Sequence, residues 1–230
     1  MNAPTNDSLP NDLSVSTAIK DVIIVVAASL VGLTFVGAGA GLHLSPIGML
    51  IGVSVSFIIL RPGPDVIREY GFRLPPSFRD GARTTIFALV GAFVIFNVID
   101  RLIAPEFGEA NVEVFDPIIG NPGLLILTLI ASWVGAAVGE EAVYRGFVQT
   151  HLARAIGGAR GWWVGNVIQA LIFSSLHFYQ GWAGVIHLFF FALFLGWVYW
   201  RSGRSLVPVI LAHGLMNTLS FLNLYTQGGG

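Results

Sequence analysis

The sequence is dominated by seven apolar stretches. A helix needs about 20 apolar residues to cross the hydrocarbon core of a bilayer. The predicted spans are Val22–Leu42, Pro46–Leu60, Thr85–Ile103, Gly123–Gln149, Trp162–Phe178, Trp182–Trp200 and Leu206–Leu224. Only 11% of the residues are charged, against about 25% in a typical soluble domain, which leaves too few to cover a water-facing surface. The pattern predicts an all-α, polytopic transmembrane helix bundle of about seven spans.

Polar sequence flanks one long hydrophobic unit. The first 20 residues, "MNAPTNDSLPNDLSVSTAIK", lack the basic start and apolar centre of a secretory signal peptide. We expect a disordered cytoplasmic tail at 1–20, one membrane-embedded domain at 21–225 and a short tail at 226–230. Between the second and third spans, "REYGFRLPPSF" is too polar to cross the membrane. We expect it to lie at the interface, with Tyr70, Phe72 and Phe78 toward lipid.

Basic residues collect on one side of this arrangement. The side that receives Lys20 also receives Arg61, Arg68, Arg73, Arg79, Arg83, Arg154, Arg160, Arg201 and Arg204. Because cytoplasmic loops carry an excess of Lys and Arg, we expect a cytoplasmic N-terminus in a bacterial inner membrane. No basic patch suggests a nucleic-acid partner. The sequence contains no cysteine, which excludes a thiolate nucleophile.

Three charged residues interrupt the fourth span, in the stretch "GEEAVYRGF". Each charge at the centre of a membrane helix costs about 2.5–3.5 kcal/mol on insertion scales. Glu141 and Arg145 are four residues apart, so they share a helix face and can form an ion pair. Glu140 points about 100° away. The pair therefore explains two of the charges by packing alone and leaves Glu140 for chemistry.

Polar side chains on two later spans are candidate partners for Glu140. Phe173 and His177 are four residues apart in "LIFSSLHFYQ", and His213 and Asn217 have the same spacing in "LAHGLMNTL". Polar groups in contact with lipid tails find no hydrogen-bond partner, so these side chains should face the bundle interior. The other histidines, His43, His151 and His187, have no matched partner in the sequence, and we expect structural or interfacial roles for them.

This set of residues favours hydrolysis, most of all of a peptide bond. A carboxylate and an imidazole can activate a water molecule, and a second imidazole with an amide can stabilise an oxyanion. The same donors could bind Zn²⁺, with Glu140, His177 and His213 as ligands. The HExxH motif is absent, and the residues leave both mechanisms open. Ser174 and Ser175 have no activating partner and would at most line the site.

The motifs resemble those of the CPBP family, which contains CAAX proteases and bacteriocin-processing enzymes. Its signatures EExxxR, FxxxH and HxxxN stand here in order as "EEAVYR", "FSSLH" and "HGLMN", and the resemblance covers residues 123–224. The resemblance implies an intramembrane endopeptidase. In it, Glu140 and His177 would polarise water, while His213 and Asn217 would stabilise the oxyanion. The supporting residues would be Glu141, Arg145 and Phe173.

The resemblance also implies a peptide or protein substrate, lipidated or membrane-embedded. A different class of function is a catalytically inactive membrane partner or immunity-type scaffold, in which the polar cluster serves packing or peptide binding. A third is a transporter with a proton relay, which the lack of internal symmetry disfavours. For the enzyme we expect a cavity open to the cytoplasm, rimmed by the 61–83 loop and the 154–160 turn, with a lateral gap toward lipid.

Overall fold

The computed structural model describes residues 13–37, 45–60 and 66–227, and the regular structure within these ranges is entirely helical. The helices are α1 (Val15–Gly37), α2 (Ser45–Leu60), α3 (Val66–Glu69), α4 (Phe78–Phe107), α5 (Pro122–Ala131), α6 (Thr150–Ile156), α7 (Gly158–Ser175), α8 (Gly181–Arg201) and α9 (Leu206–Thr226). A π-helical segment, Ser132–Gln149, joins α5 to α6, and 3₁₀ turns occupy Glu113–Ile118 and Phe178–Gln180. The predicted all-α class is confirmed.

Four of the described helices are long and apolar enough to cross a membrane. They are Phe78–Phe107, Pro122–Ile156, Phe178–Arg201 and Leu206–Thr226, which supports an integral membrane protein. The count of seven spans stays a prediction. Helix α1 begins at Val15, inside the segment 1–20 that was expected to be a disordered tail. His43 and Arg61 lie outside the described residues.

Two helices begin at residues that the sequence marks as caps. The Ser77 side chain accepts a hydrogen bond from the backbone N–H of Asp80 at the start of α4. Asn121 does the same for Leu124 at the start of α5, with Pro122 in the first helical position. Such caps satisfy N–H groups that have no partner inside the helix. They fix where the helices of the third and fourth predicted spans begin.

The π-helical segment lies within one continuous 35-residue helix from Pro122 to Ile156. A straight α-helix of that length would measure about 52 Å, whereas the hydrocarbon core is about 30 Å thick. The i→i+5 hydrogen bonds of the segment widen each turn, so residues about nine apart return to one face. In an α-helix, at about 100° per residue, those residues would lie on opposite faces. This winding decides which side chains reach the site.

Carboxamide side chains tie the π-helical segment, α7 and α8 together inside the bundle. Gln149 donates to the carbonyl oxygen of Gly196 at 3.0 Å, and Gln169 donates to that of Ala192 at 3.0 Å. Asn166 donates to the carbonyl oxygen of Leu193. Buried polar groups without partners are costly, and here the amide N–H groups are satisfied by backbone carbonyls of the neighbouring helix, while Oε1 of Gln149 and Oε1 of Gln169 have no hydrogen-bond partner among the described residues. The bonds hold α8 at a fixed register.

The segment before α4 was expected to lie at the membrane interface with its aromatic rings toward lipid, and Tyr70 departs from that expectation. Tyr70 is 2% exposed, its hydroxyl donates to the carbonyl oxygen of Ser56 at 2.7 Å, and its ring stacks on Phe147. Burial raises the pKa of the Tyr70 hydroxyl, so the group stays a donor. The prediction that Tyr70 faces lipid is therefore wrong, because the ring fills space above the π-helical segment. Phe78, at 93% exposed, does point outward.

Candidate active site

Glu141, Arg145 and His213 form a fully buried charged cluster. One oxygen of Glu141, Oε1, lies 3.0 Å from Nη1 of Arg145 and 2.8 Å from Nδ1 of His213. The Glu141 and Arg145 side chains are both 0% exposed. Arg145 also donates from Nη2 to the carbonyl oxygen of Ala192 at 3.3 Å. The predicted ion pair is present, and it includes a histidine that the spacing alone did not assign to it.

The second glutamate lies on the other side of the same imidazole. Oε2 of Glu140 is 4.0 Å from Nε2 of His213, and the Glu140 side chain is 13% exposed. A gap of this length is too long for a direct hydrogen bond and allows a bridging water. Glu140 is therefore partly accessible while Glu141 is sealed. The two adjacent glutamates differ in the way that the sequence suggested.

Phe173 lies at the centre of the aromatic groups around this cluster. Its ring centroid is 5.2 Å from that of Tyr144, 4.7 Å from that of His177 and 6.5 Å from that of His213. The guanidinium carbon of Arg145 lies 5.2 Å from the same centroid, in a cation–π arrangement. Phe173 and His177, which were predicted to share a helix face, are in contact. Phe173 also contacts Tyr144 and Arg145, so the FxxxH motif packs against the EExxxR motif.

The His177 ring has one nitrogen whose role is fixed by its partner. Nδ1 lies 2.8 Å from the carbonyl oxygen of Phe173. A carbonyl oxygen can only accept, so Nδ1 carries the hydrogen, and in the neutral ring Nε2 keeps a lone pair. His177 follows the last turn of α7 and is half-buried. The geometry thus leaves Nε2 as the acceptor nitrogen of the neutral ring.

Asn217 is held by a residue that the sequence reasoning missed. Its Nδ2 donates to the hydroxyl oxygen of Ser132 at 3.0 Å. Ser132 and Glu141 are nine residues apart, and the π-helical winding places both against α9. His213 and Asn217, one turn apart on α9, contact Glu141 and Ser132 respectively. No sequence signal distinguishes a π-helix from an α-helix here, so Ser132 could not have been found.

A second residue that the sequence reasoning missed is Tyr179. Its ring centroid is 5.9 Å from that of His177. The side chain of Gln180 donates to the Tyr179 hydroxyl at 3.0 Å. The signal that could have found it is its position two residues after His177, in a polar stretch between two spans.

Comparison with known families assigns this part of the chain. Residues 122–219 match the sequence model of the family described as type II CAAX prenyl endopeptidase Rce1-like. This segment is similar to the Rce1-like family. The comparisons with curated proteins and with solved structures returned no match. The family and the apolar helices support a membrane protein of the protease class, and the expected relationship to CAAX proteases is confirmed.

All of the motif residues fall inside the matched segment. It covers α5, the π-helical segment, α6, α7, α8 and most of α9. The described helices α1, α2 and α4 lie before it and pack against its outer side. The hydroxyls of Ser174 and Ser175 donate to backbone carbonyls of their own helix, from Leu171 and Ile172. These serines are not activated by a neighbouring base.

The remaining described histidines have partners outside the motif set. His187 lies 3.7 Å from Asp100 on α4, and its ring packs on Phe96. His151 is buried and lies 3.0 Å from Asp21 on α1. The expectation that His151 has no matched partner is therefore wrong, and its interfacial position stays a prediction. Its partner is 130 positions away in the chain, beyond the reach of any spacing argument.

The expected metal ligands do not form a metal-binding group in the described part of the chain. Within those residues, no three His, Asp or Glu side chains come together in a way that could hold an ion. Two of the predicted ligands, Glu140 and His213, approach each other. The His177 ring is oriented by the hydrogen bond between its Nδ1 and the carbonyl oxygen of Phe173.

Proposed function

We propose that the chain is an intramembrane endopeptidase in which Glu140 and His177 activate water. The observation that carries the proposal is one imidazole between two carboxylates, since Nδ1 of His213 faces Glu141 at 2.8 Å and Nε2 faces Glu140 at 4.0 Å. Water bound between Glu140 and Nε2 would stand next to a base and a hydrogen-bond donor. The match to a family of endopeptidases agrees with this chemistry.

His213 and Asn217 are the proposed oxyanion donors. Glu141 is an acceptor when ionised, so Nδ1 of His213 carries a hydrogen. Donation from Nε2 to an oxyanion requires a second hydrogen on the ring, which lies between the Glu141 and Glu140 carboxyl groups. The amide of Asn217 has two hydrogens, one of which goes to Ser132, so the other is available. Donors aimed at the developing charge are worth about 10²–10³ in kcat each.

The proposed reaction balances without an added reactant. Glu140 takes a proton from water, and the hydroxide adds to the carbonyl carbon of the peptide bond. The electron pair moves to the carbonyl oxygen, where His213 and Asn217 stabilise it. When the tetrahedral intermediate collapses, the C–N bond breaks and the leaving amine takes the proton from Glu140. The basic nitrogen of His177 orients the water.

The test compares wild type with Glu140→Gln in lipid nanodiscs. Both are incubated with quenched fluorescent peptides in matched pairs, one member carrying a farnesylated cysteine followed by three residues and the other the unmodified cysteine. Mass spectrometry identifies the cleaved bonds. We expect wild type to cleave, Glu140→Gln to lose about 10²–10⁴-fold in rate, and both to unfold at the same temperature. Glu113→Gln, an exposed glutamate in the 108–121 loop, is the control that keeps activity.

Two outcomes contradict the proposal. Cleavage by Glu140→Gln at the wild-type rate would remove Glu140 from the chemistry. Failure of wild type to cleave any peptide, with the peptides still bound, would favour the inactive scaffold, in which the polar cluster serves peptide binding. Faster cleavage of the farnesylated member of each pair would show that the prenyl group is recognised, and equal cleavage of both members would show that it is not.

A further inference from the structure

The surroundings of Glu140 differ sharply in the two directions along its helix. Every residue from 141 to 153 is buried. In the other direction, from 131 to 140, exposed and half-buried positions alternate with buried ones, and Val134 and Val138 are 43% and 39% exposed. A peptide bond can be hydrolysed only where water and substrate reach the site. The packing therefore closes the 141–153 direction to water and substrate and leaves the 131–140 direction, along which the exposed valines would contact lipid.

The closed direction is filled by close contacts between helices. A methyl group on Gly146 would lie 2.8 Å from the backbone oxygen of Tyr70 and 3.4 Å from a side-chain carbon of Leu206. The rings of Tyr70, Phe147 and His151 stack in the same region. Protein interiors packed to this density leave few voids for water. This is the end of the bundle that carries Arg73, Arg154 and Arg204.

The open direction leads to the turn between α7 and α8. His177 begins this turn and is half-buried, while Phe178 and Tyr179 are 55% and 52% exposed. Tyr179 stands next to His177, with the two ring centroids 5.9 Å apart. The turn is held in place because Asn111 donates its backbone N–H to the carbonyl oxygen of Gln180 at 3.0 Å. An exposed aromatic ring is thus fixed beside His177, one member of the proposed water-activating pair.

We propose that substrate reaches Glu140 from the end of the bundle at the Phe178–Gln180 turn, and that the Tyr179 ring contacts the peptide there. The inference rests on the proposed peptidase function for its substrate. It reverses the expectation of a mouth rimmed by the arginine-rich loops. Tyr179 acts through its ring, since the Gln180 amide already engages its hydroxyl. An aromatic ring gives an extended substrate a surface to stack on.

The direction of access is tested without any substrate. The chain has no cysteine, so single cysteines can be labelled with a charged, membrane-impermeant methanethiosulfonate from each side of a membrane. Ala136→Cys probes the open direction and Val148→Cys the closed one. Glu109→Cys and Ala159→Cys are exposed markers for the two ends. We expect Ala136→Cys and Tyr179→Cys to react from the side that labels Glu109→Cys, and Val148→Cys to stay unlabelled.

The contact with substrate is tested by kinetics on a peptide that wild type cleaves. We expect Tyr179→Ala to raise KM about tenfold with kcat little changed, as for a lost aromatic contact, and Tyr179→Phe to restore KM. Phe178→Ala is the matched control, because Phe178 is equally exposed and packs on Trp182 at 5.1 Å, away from His177.

Two results would overturn the inference while leaving the peptidase function intact. One is labelling of Ala136→Cys only from the side of Ala159→Cys. The other is an unchanged KM in Tyr179→Ala while Glu140→Gln is inactive. Failure of the peptidase function shows separately, as wild type that cleaves nothing while the labelling pattern holds.

Discussion

A single carboxylate oxygen of Glu141 contacts both Arg145, at 3.0 Å, and the imidazole of His213, at 2.8 Å. The ion pair and the proposed oxyanion donor are therefore one unit. Breaking a buried ion pair is strongly destabilising, because removing one partner leaves an uncompensated charge in the protein interior. Glu141 fixes which nitrogen of His213 points to Glu140, so it positions a site residue as well as packing the helix.

Variants of Glu141 should separate these two effects. Glu141→Ala leaves Arg145 buried without a counter-charge, which costs about 3–5 kcal/mol. We expect the double variant Glu141→Met/Arg145→Met to recover most of this stability, because a packed apolar pair replaces a buried ionic one. The double variant should stay inactive, since His213 loses its acceptor. Unfolding in detergent measures the first effect and peptide hydrolysis the second.

A purely structural role for Glu141 predicts something else. In that case activity would return together with stability in the double variant. Full activity in Glu141→Met/Arg145→Met would thus contradict the positioning of His213.

The Asn217–Ser132 hydrogen bond supports a second prediction. Ser132→Ala removes the acceptor that orients the Asn217 amide, and we expect kcat to fall by about tenfold, the equivalent of about 1.4 kcal/mol and typical of one hydrogen bond. Asn217→Ala removes the proposed donor itself, and we expect a fall of about 10²–10³. KM should change little in both, because the bond acts on the oxyanion and not on bound substrate. Steady-state kinetics on the same peptide measures this.

The neighbouring hydrogen bond gives the matched control. Nε1 of Trp133 donates to the hydroxyl of Thr218 at 3.1 Å, between the same two elements and one residue further along each. Thr218→Val removes that bond and should leave kcat within about twofold of wild type. An equal loss in Thr218→Val and Ser132→Ala would mean that the bonds only hold α9 in place.

The sequence predicts the class of fold and most of the site residues because both depend on local patterns. Apolar runs of membrane length predict helices, and i,i+4 spacing predicts the pairs Glu141–Arg145 and Phe173–His177. The distinction between the two glutamates also follows from spacing. These features need no knowledge of which helix packs beside which.

Contacts that depend on packing or on unusual winding could not be predicted. Ser132 reaches Asn217 only because the segment is π-helical, and an α-helical reading places it on the opposite face from Glu141. Asp21 and Asp100 partner His151 and His187 across long stretches of chain. The orientation of Tyr70 depends on the stacking of its ring on Phe147. In each case the deciding contact is made by an element distant in sequence.

The histidines provide a third prediction. His177→Ala should lower the rate of hydrolysis by about 10²–10⁴-fold, the range for loss of an acid–base group, with little change in stability because the side chain is half-buried. His151→Ala leaves the Asp21 carboxylate without its partner and should lower stability, while kcat at a temperature where the protein is folded stays near wild type. His187→Ala should behave like His151→Ala. A loss of kcat in His187→Ala as large as that in His177→Ala would mean that the motif residue has been misassigned.

The last prediction concerns the register of α8 against the site. A methyl group on Gly196 would lie 2.8 Å from Nε2 of Gln169 and closer still to Oδ1 of Asn166. Gln169 donates to the carbonyl oxygen of Ala192, which also accepts from Arg145. Gly196→Ala should therefore displace the carboxamide network and disturb Arg145 through that shared carbonyl. Overpacking of this kind costs about 1–3 kcal/mol, and we expect kcat to fall as well.

Gly123→Ala is the control, since its methyl group would meet only Asn121, at 3.5 Å, and both stability and kcat should be unchanged. The two variants are compared by unfolding in detergent and by hydrolysis of one peptide. Equal stability of Gly196→Ala and Gly123→Ala would show that α8 is not held by the network.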